Sequence, residues 1–235
     1  MPIGRALVQA VTTNGTAVQL DGVVVVLGGY PALAGASVAV RAGELVALRG
    51  ANGSGKSTLL RACAGLVPVA RGTVRVLGVH DDRTALRRHV GLLGHKNGLY
   101  ADLTEHENVQ FTARLVGAGA TDVDDALRRL GIDARVAATR AGSLSAGQRR
   151  RTALASLVVR RARVWLLDEP HAGLDAASRD ELDSILAAAT RAGATVIFTT
   201  HEIEPRGTAV PRTVTLAGGV VVSDEPAAAS TGGAR

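Results

Sequence analysis

The chain has 235 residues, 46% of them apolar, and a formal net charge of +6 at pH 7. That length buries roughly 70–75% of the unfolded surface in one large α/β unit, while no apolar run approaches the roughly twenty residues that span a bilayer. Met1-Pro2-Ile3-Gly4-Arg5 is not followed by the apolar core of a signal peptide. A cytosolic protein is therefore expected, and any membrane channel must come from separate chains.

Residues 1–16 read as an N-terminal extension and 17–224 as the folded unit. Strands and turns alternate from Ala17 to Leu93, beginning with the strand-sized apolar run Val23–Leu27. Tyr30, just after Gly28-Gly29, is the aromatic of this region, where a ring is available to stack on a base or to cover a turn. Glu44–Leu48 predicts a buried strand, and Ser57–Ala64 predicts a helix. Between them Gly50-Ala51-Asn52-Gly53-Ser54-Gly55-Lys56-Ser57 is a P-loop, whose glycines let backbone N–H groups close around phosphate oxygens. Lys56 supplies a compact positive charge to the β- and γ-phosphates, and the Ser57 hydroxyl is placed to ligate Mg²⁺. Thr58 follows at the positive end of the helix. Cys63, the only cysteine, reads as a small core residue.

Residues from about 101 to 159 read as helical: Thr104 caps Glu105–Leu115, and Thr121 caps Asp122–Leu130. Leu144-Ser145-Ala146-Gly147-Gln148 then opens a further helix, with Ser145 as its N-cap. Positive charge is carried almost entirely by arginine, Lys56 and Lys96 being the only lysines. Arg149-Arg150-Arg151 and the cluster Arg160, Arg161 and Arg163 lack the interleaved aromatics that stack bases. They read as a solvated helix face or a patch near anionic lipid headgroups, and not as a nucleic-acid surface.

Val164-Trp165-Leu166-Leu167 is an apolar strand that ends in Asp168-Glu169-Pro170, the Walker B arrangement. Asp168 is placed to hold Mg²⁺, usually through water, and Glu169 to polarise the water that attacks the γ-phosphate. A helix over Ala177–Ala192 and strands over Thr195–Thr199 and Thr213–Leu216 complete the unit; residues 225–235 read as a disordered tail.

Together these motifs resemble an ABC transporter nucleotide-binding subunit over nearly the whole chain, from about Ala17 to Val222. The resemblance implies an α/β fold: a P-loop NTPase cassette with a RecA-like core, an antiparallel β subdomain and a helical signature subdomain. Leu144–Gln148 takes the place of the signature, Gly173-Leu174-Asp175 that of the D-loop, and His201 that of the switch histidine, which bridges the γ-phosphate and Glu169. It further implies a self-dimer in which Ser145, Gly147 and Gln148 grip the ATP held by the other copy. Separate integral-membrane subunits would complete the transporter, with the cassette peripheral on the cytoplasmic face of the membrane.

Two departures stand out. His95, in Gly94-His95-Lys96-Asn97, replaces the glutamine expected to touch Mg²⁺ or its water, and Ala146 replaces a signature glycine. The Gly94-His95 pair, the run Leu144–Ala155 and Thr199-Thr200-His201 are similar to the haem-exporter ATP-binding subunits of cytochrome c biogenesis (the cytochrome c maturation protein A family). Other small-solute, lipid or drug exporters and a soluble iron–sulfur assembly ATPase are the alternatives, since a cassette does not itself contact cargo.

Overall fold

The computed structural model describes residues 15–80, 82–94, 96–201 and 210–227. The N-terminal extension up to residue 14, the tail from residue 228, and His95 lie outside the described residues.

The chain opens with β1 (Thr16–Leu27) and β2 (Tyr30–Arg41), an antiparallel hairpin. Its turn, Gly28-Gly29, has φ of 58° and 84°, a conformation that matches the twist of the flanking strands and excludes most side chains. With β4 (Arg71–Val76) these strands form a three-stranded antiparallel sheet in the order β2-β1-β4. Between them come β3 (Leu45–Arg49) and α1 (Lys56–Cys63).

The second sheet has six strands in the order β5-β6-β7-β3-β8-β9, where β5 is Val90–Leu93, β6 Val164–Leu167, β7 Thr195–Thr199, β8 Arg212–Ala217 and β9 Val220–Glu225. All neighbours are parallel except β8 and β9. A parallel sheet is covered on both faces, so its strands are apolar throughout and alternate only in which core they feed. Val46, Leu48, Val164, Leu166 and Ile197 enter the core that contains β1, β2 and α1. Ala47, Trp165, Leu167, Val196 and Phe198 enter the core built with the helices. Cys63 is wholly buried in the first of these, which pushes its thiol pKa up to about 12.

The helices are α2 (Arg83–His89), α3 (Glu105–Val116), α4 (Ala120–Arg129), α5 (Ala134–Ala137), α6 (Ala146–Val159) and α7 (Ala176–Arg191). α3 has the predicted cap: the Thr104 hydroxyl accepts from Glu107 N while the Glu107 carboxylate accepts from Thr104 N. α4 corrects its expected start. It begins at Ala120, and the Asp122 carboxylate, two residues inside, accepts from Gly119 N at 3.0 Å, so Thr121 caps nothing. β9 was not foreseen either; the strand expected over Thr213–Leu216 instead turns at Gly218-Gly219 and returns beside itself. Arg212 fixes that edge: its guanidinium donates to both Asp224 oxygens at 2.7 and 2.6 Å and to Glu44 Oε2 at 2.9 Å.

The arginine clusters also depart from the solvated-face reading. Arg149 donates to Leu144 O, Arg150 is buried, and Arg151 pairs with Glu181 on α7 at 2.7 Å. Arg160 donates to Arg87 O at 2.6 Å, and Arg161 pairs with Asp122 at 3.2 Å. Successive helical positions point about 100° apart, so a run of one residue type meets a different environment at each step. Here most of that charge ties elements together.

Candidate functional site

Ligands of open α/β sheets sit at the carboxyl ends of the strands, and four loops meet at that edge here. The P-loop follows β3, residues 94–104 follow β5, Asp168-Glu169 follow β6, and Thr200-His201 follow β7. Because β7 lies between β6 and β3, Thr199 stands between the acids and the P-loop.

Two P-loop glycines, Gly50 and Gly55, sit where packing excludes any side chain. Gly50 has φ 145°, and a Cβ there would lie 2.3 Å from Leu216 O; at Gly55, φ 104°, a Cβ would lie 2.5 Å from Ala32 O. Gly219 N, in the β8–β9 turn, donates to Ser54 O at 3.1 Å, and Gly219 O accepts from Ala34 N at 2.8 Å, joining both sheets behind the loop. Lys56 is the first residue of α1, and its ammonium donates to Gly50 O at 2.7 Å and Ala51 O at 3.0 Å. Burial draws its pKa down, while the Glu169 and Asp168 carboxylates act in the opposite direction. Ser54 Oγ is buried without a hydrogen-bond partner, and Thr58 is buried in the first turn of the helix. Ala51, Asn52 and Gly53 form the exposed crest of the loop.

Across the site the Ser57 hydroxyl donates to Asp168 Oδ1 at 2.9 Å. The same oxygen accepts from Thr199 Oγ1 at 2.9 Å, and Thr199 Oγ1 in turn accepts from Glu169 N at 2.7 Å. Glu169 has φ 49°, a left-handed conformation that a non-glycine residue holds at some cost in energy. His201 Nε2 lies 2.6 Å from Glu169 Oε1. Ser57, Asp168, Thr199, Glu169 and His201 are thus linked in one hydrogen-bonded array, with Lys56 bonded separately to the P-loop backbone. Ser57 Oγ and Asp168 Oδ1 are hard oxygen donors, and together they suit Mg²⁺, which takes few protein oxygens and leaves its other positions to phosphate and water.

The signature residues form a separate group. Ser145 caps α6: its hydroxyl accepts from Gln148 N at 3.2 Å, and Ser145 N donates to Gln148 Oε1 at 2.8 Å. Gln148 was singled out for ATP, and in this conformation its side chain completes a capping box. Neither residue hydrogen-bonds to the P-loop of its own chain. Ala146 has no positive φ, which explains why that position does without glycine. Gly147 has a local reason to be glycine, since a Cβ there would lie 2.9 Å from Ser178 Oγ at the start of α7. Asp175, in the expected D-loop, caps α7 by accepting from Ser178 N at 2.8 Å.

Three residues of this region were not singled out from the sequence. Thr199 is one, although a hydroxyl that ends an apolar strand two residues before His201 was visible. Asn108 is another. Its amide holds the loop after β5, accepting from Tyr100 N at 2.8 Å and donating to Tyr100 O, Leu103 O and Thr104 O. That loop is hydrogen-bonded to the segment leading into the signature, through Ala141 N to Leu103 O at 2.8 Å and Gly142 N to Ala101 O at 2.9 Å. The third is Arg150, buried on α6 with its guanidinium donating to Gly94 O and Glu169 O. Tyr30 begins β2 with its side chain 79% exposed, two residues before Ala32, which touches Gly55.

The sequence matches the family described as ABC transporter over residues 33–172. It is 44% identical over 166 residues to a cytochrome c biogenesis ATP-binding export protein, CcmA, of Bordetella bronchiseptica, covering 69% of this chain and 74% of that one. A second protein of that name, CcmA 2 of Cupriavidus metallidurans, is 40% identical over 188 residues, or 78% and 89% of the two chains. Among solved structures, the dimeric post-hydrolysis state of the ATP-binding cassette MJ0796 bound to ADP and Pi aligns with a TM-score of 0.77 at 26% identity, covering 89% of this chain and 98% of that one. The structure of cbiO1 from Clostridium perfringens, part of the transporter complex cbiONQ, aligns at 0.79 and 25% identity, covering 90% and 89%.

Proposed function

The chain belongs to the ABC transporter family, and from that premise we propose that it is the ATP-hydrolysing subunit of the haem exporter complex of cytochrome c biogenesis, working as a dimer that closes around two ATP molecules. The observation that carries the hydrolytic part is the array in which Ser57 and Thr199 both bond Asp168 while His201 bonds Glu169. The cargo assignment is supported by the likeness to the CcmA proteins.

The P-loop N–H groups and Lys56 bind the triphosphate, with Gly50 to Thr58 as the cradle. Ser57 and Asp168 would hold Mg²⁺, which would supply charge neutralisation for the triphosphate. Glu169 takes a proton from the attacking water as the bond from the γ-phosphorus to its bridging oxygen breaks, which leaves ADP and phosphate. His201, bonded to Glu169, fixes that carboxylate and meets the γ-phosphate. In the dimer Ser145, Gly147 and Gln148 of one copy complete the site of the other. The Ser145 hydroxyl accepts one bond within its own chain and keeps its proton to donate outward. His95 is the group of the loop after β5 that takes the glutamine's place.

Loss of the γ-phosphate removes the link between copies and reopens the pair. Residues 17–224 form the working cassette, with 101–159 as the helical subdomain. No helix among the described residues is long and apolar enough to cross a membrane, in keeping with a peripheral subunit on the cytoplasmic face that drives separate membrane chains.

The test is a haem stain of membrane c-type cytochromes in cells whose only copy carries Glu169→Gln. Loss of the stained bands, restored by the parent chain, is the expected result. Normal bands from a variant shown to lack ATPase activity would rule out the haem-export role and leave an exporter of another solute.

A further inference from the structure

Arg150 lies on α6, five residues after Ser145, and is only 4% exposed. Among the described residues no carboxylate pairs with its guanidinium. Instead, Nη1 donates to Gly94 O and Nη2 to Glu169 O, each at 3.4 Å. Gly94 directly follows β5 and precedes His95 in the sequence, and Glu169 lies just beyond β6. One buried cation from the signature helix therefore reaches the two loops that flank the hydrolytic site.

From this geometry we infer that Arg150 is a positioning residue for hydrolysis: it holds the Glu169 peptide in its left-handed conformation and ties that conformation to the seating of the signature helix. The inference rests on the reading of Glu169 as the residue that activates water. Three observations lead to it.

First, a glutamate at φ 49° persists only where its surroundings over-determine it. Glu169 N is held by Thr199 Oγ1 at 2.7 Å, while Glu169 O accepts from Ala172 N at 3.1 Å and from Arg150. Of these three anchors, Arg150 alone comes from the helical half. Second, a buried cation that makes no ion pair among the described residues, and whose charge only the more distant Asp168 favours, is retained where its donors are needed. A planar fork reaches two carbonyls in the loops after different strands at once, which a single ammonium point does not. Third, both bonds are long for a charge-assisted donor, so a shift of α6 by a few tenths of an ångström tightens or breaks them together. Ser145 and Arg150 are about 7.5 Å apart along one rigid helix. A force on the signature from the partner's nucleotide arrives at Glu169 with no flexible joint between.

The experiment measures ATP turnover by the full chain carrying Arg150→Lys, which keeps the charge and the aliphatic stem but loses the fork. The expected result is a fall in kcat of roughly tenfold, the size of one lost charged hydrogen bond, with KM for ATP and Tm near those of the parent. Arg150→Met, lacking both donors, should fall further; if it does not fold, Arg150→Lys alone decides. A normal kcat for Arg150→Lys, or a KM that rises as kcat falls, would overturn the inference. Glu169→Gln is measured alongside it. If Glu169→Gln hydrolyses ATP normally, the role given to Glu169 is wrong. If it is inactive while Arg150→Lys is normal, only the inference about Arg150 fails. A pair of substitutions that act through one group do not add, so Glu169→Gln with Arg150→Lys should be no slower than Glu169→Gln alone. A further loss in the double variant would place Arg150 on another route.

Discussion

Glu169 N donates to Thr199 Oγ1 at 2.7 Å, across the carboxyl ends of the neighbouring strands β6 and β7. The Thr199 hydroxyl in turn donates a hydrogen bond to Asp168 Oδ1 at 2.9 Å, so one side chain sets both acids of the site. Thr199→Val keeps the shape, removes both bonds and leaves a buried N–H and a carboxylate short of a partner. A loss in kcat of about tenfold is expected, with Thr199→Ser retaining most of the activity. Equal steady-state rates for the valine variant and the parent would contradict this arrangement.

Glu169→Gln should still bind ATP but hydrolyse it at least ~100-fold more slowly, the usual range for a lost general base. With turnover stopped, the ATP-bound dimer should accumulate, and light scattering in saturating ATP and Mg²⁺ should show twice the monomer mass. A monomer under those conditions would contradict the sandwich. Lys56→Ala should fail earlier, losing nucleotide affinity, and unchanged binding by calorimetry would displace the phosphates from this loop.

Tyr30 is the most exposed large apolar side chain of the β1–β2 hairpin, which packs behind the P-loop. If its ring stacks on adenine, Tyr30→Ala should raise KM for ATP by about tenfold and Tyr30→Phe should leave it unchanged. A KM that does not move with Tyr30→Ala would make this a surface tyrosine.

Glu105 opens α3 fully buried, and neither carboxylate oxygen has a hydrogen-bond partner. Burial raises its pKa, with Thr152 and Arg151 nearby pulling it only partly back. The folded chain therefore keeps a proton that the unfolded chain releases. Stability attributable to this group falls as pH climbs from the ordinary glutamate value of 4.5 through the raised one. Glu105→Met should be more stable than the parent by about 1 kcal/mol at alkaline pH, and the gap should close on acidification toward that ordinary value. Thermal melts across this range test it, and a gap that does not change with pH would show that the carboxyl is not the cause.

Much of the site was legible because phosphate chemistry demands particular residues at fixed spacing. Gly50 to Ser57 between a strand and a helix, and two acids ending Val164–Leu167, carry that demand in the sequence itself. The supporting residues were less visible for a physical reason: their partners are distant in the chain. Asn108 binds four backbone groups of a loop whose path is set by the fold. Arg149, Arg150 and Arg151 are identical letters on one helix, yet they meet a helix end, a buried loop junction and an acid on α7. β9 escaped for a different reason. An edge strand that is half exposed and ends in Ser223-Asp224-Glu225 has no apolar alternation to announce it.

The lone thiol sits wholly buried on the P-loop helix, with its pKa pushed up to about 12. Thiolate is the reactive form, so oxidants and alkylating reagents find almost nothing to attack in the folded molecule. The ATPase is thereby insulated from the redox state of its surroundings. The same burial leaves a silent background: one cysteine engineered at the exposed Ser143, just ahead of α6, would be the sole reactive point, where a fluorophore or spin label can test whether two copies meet.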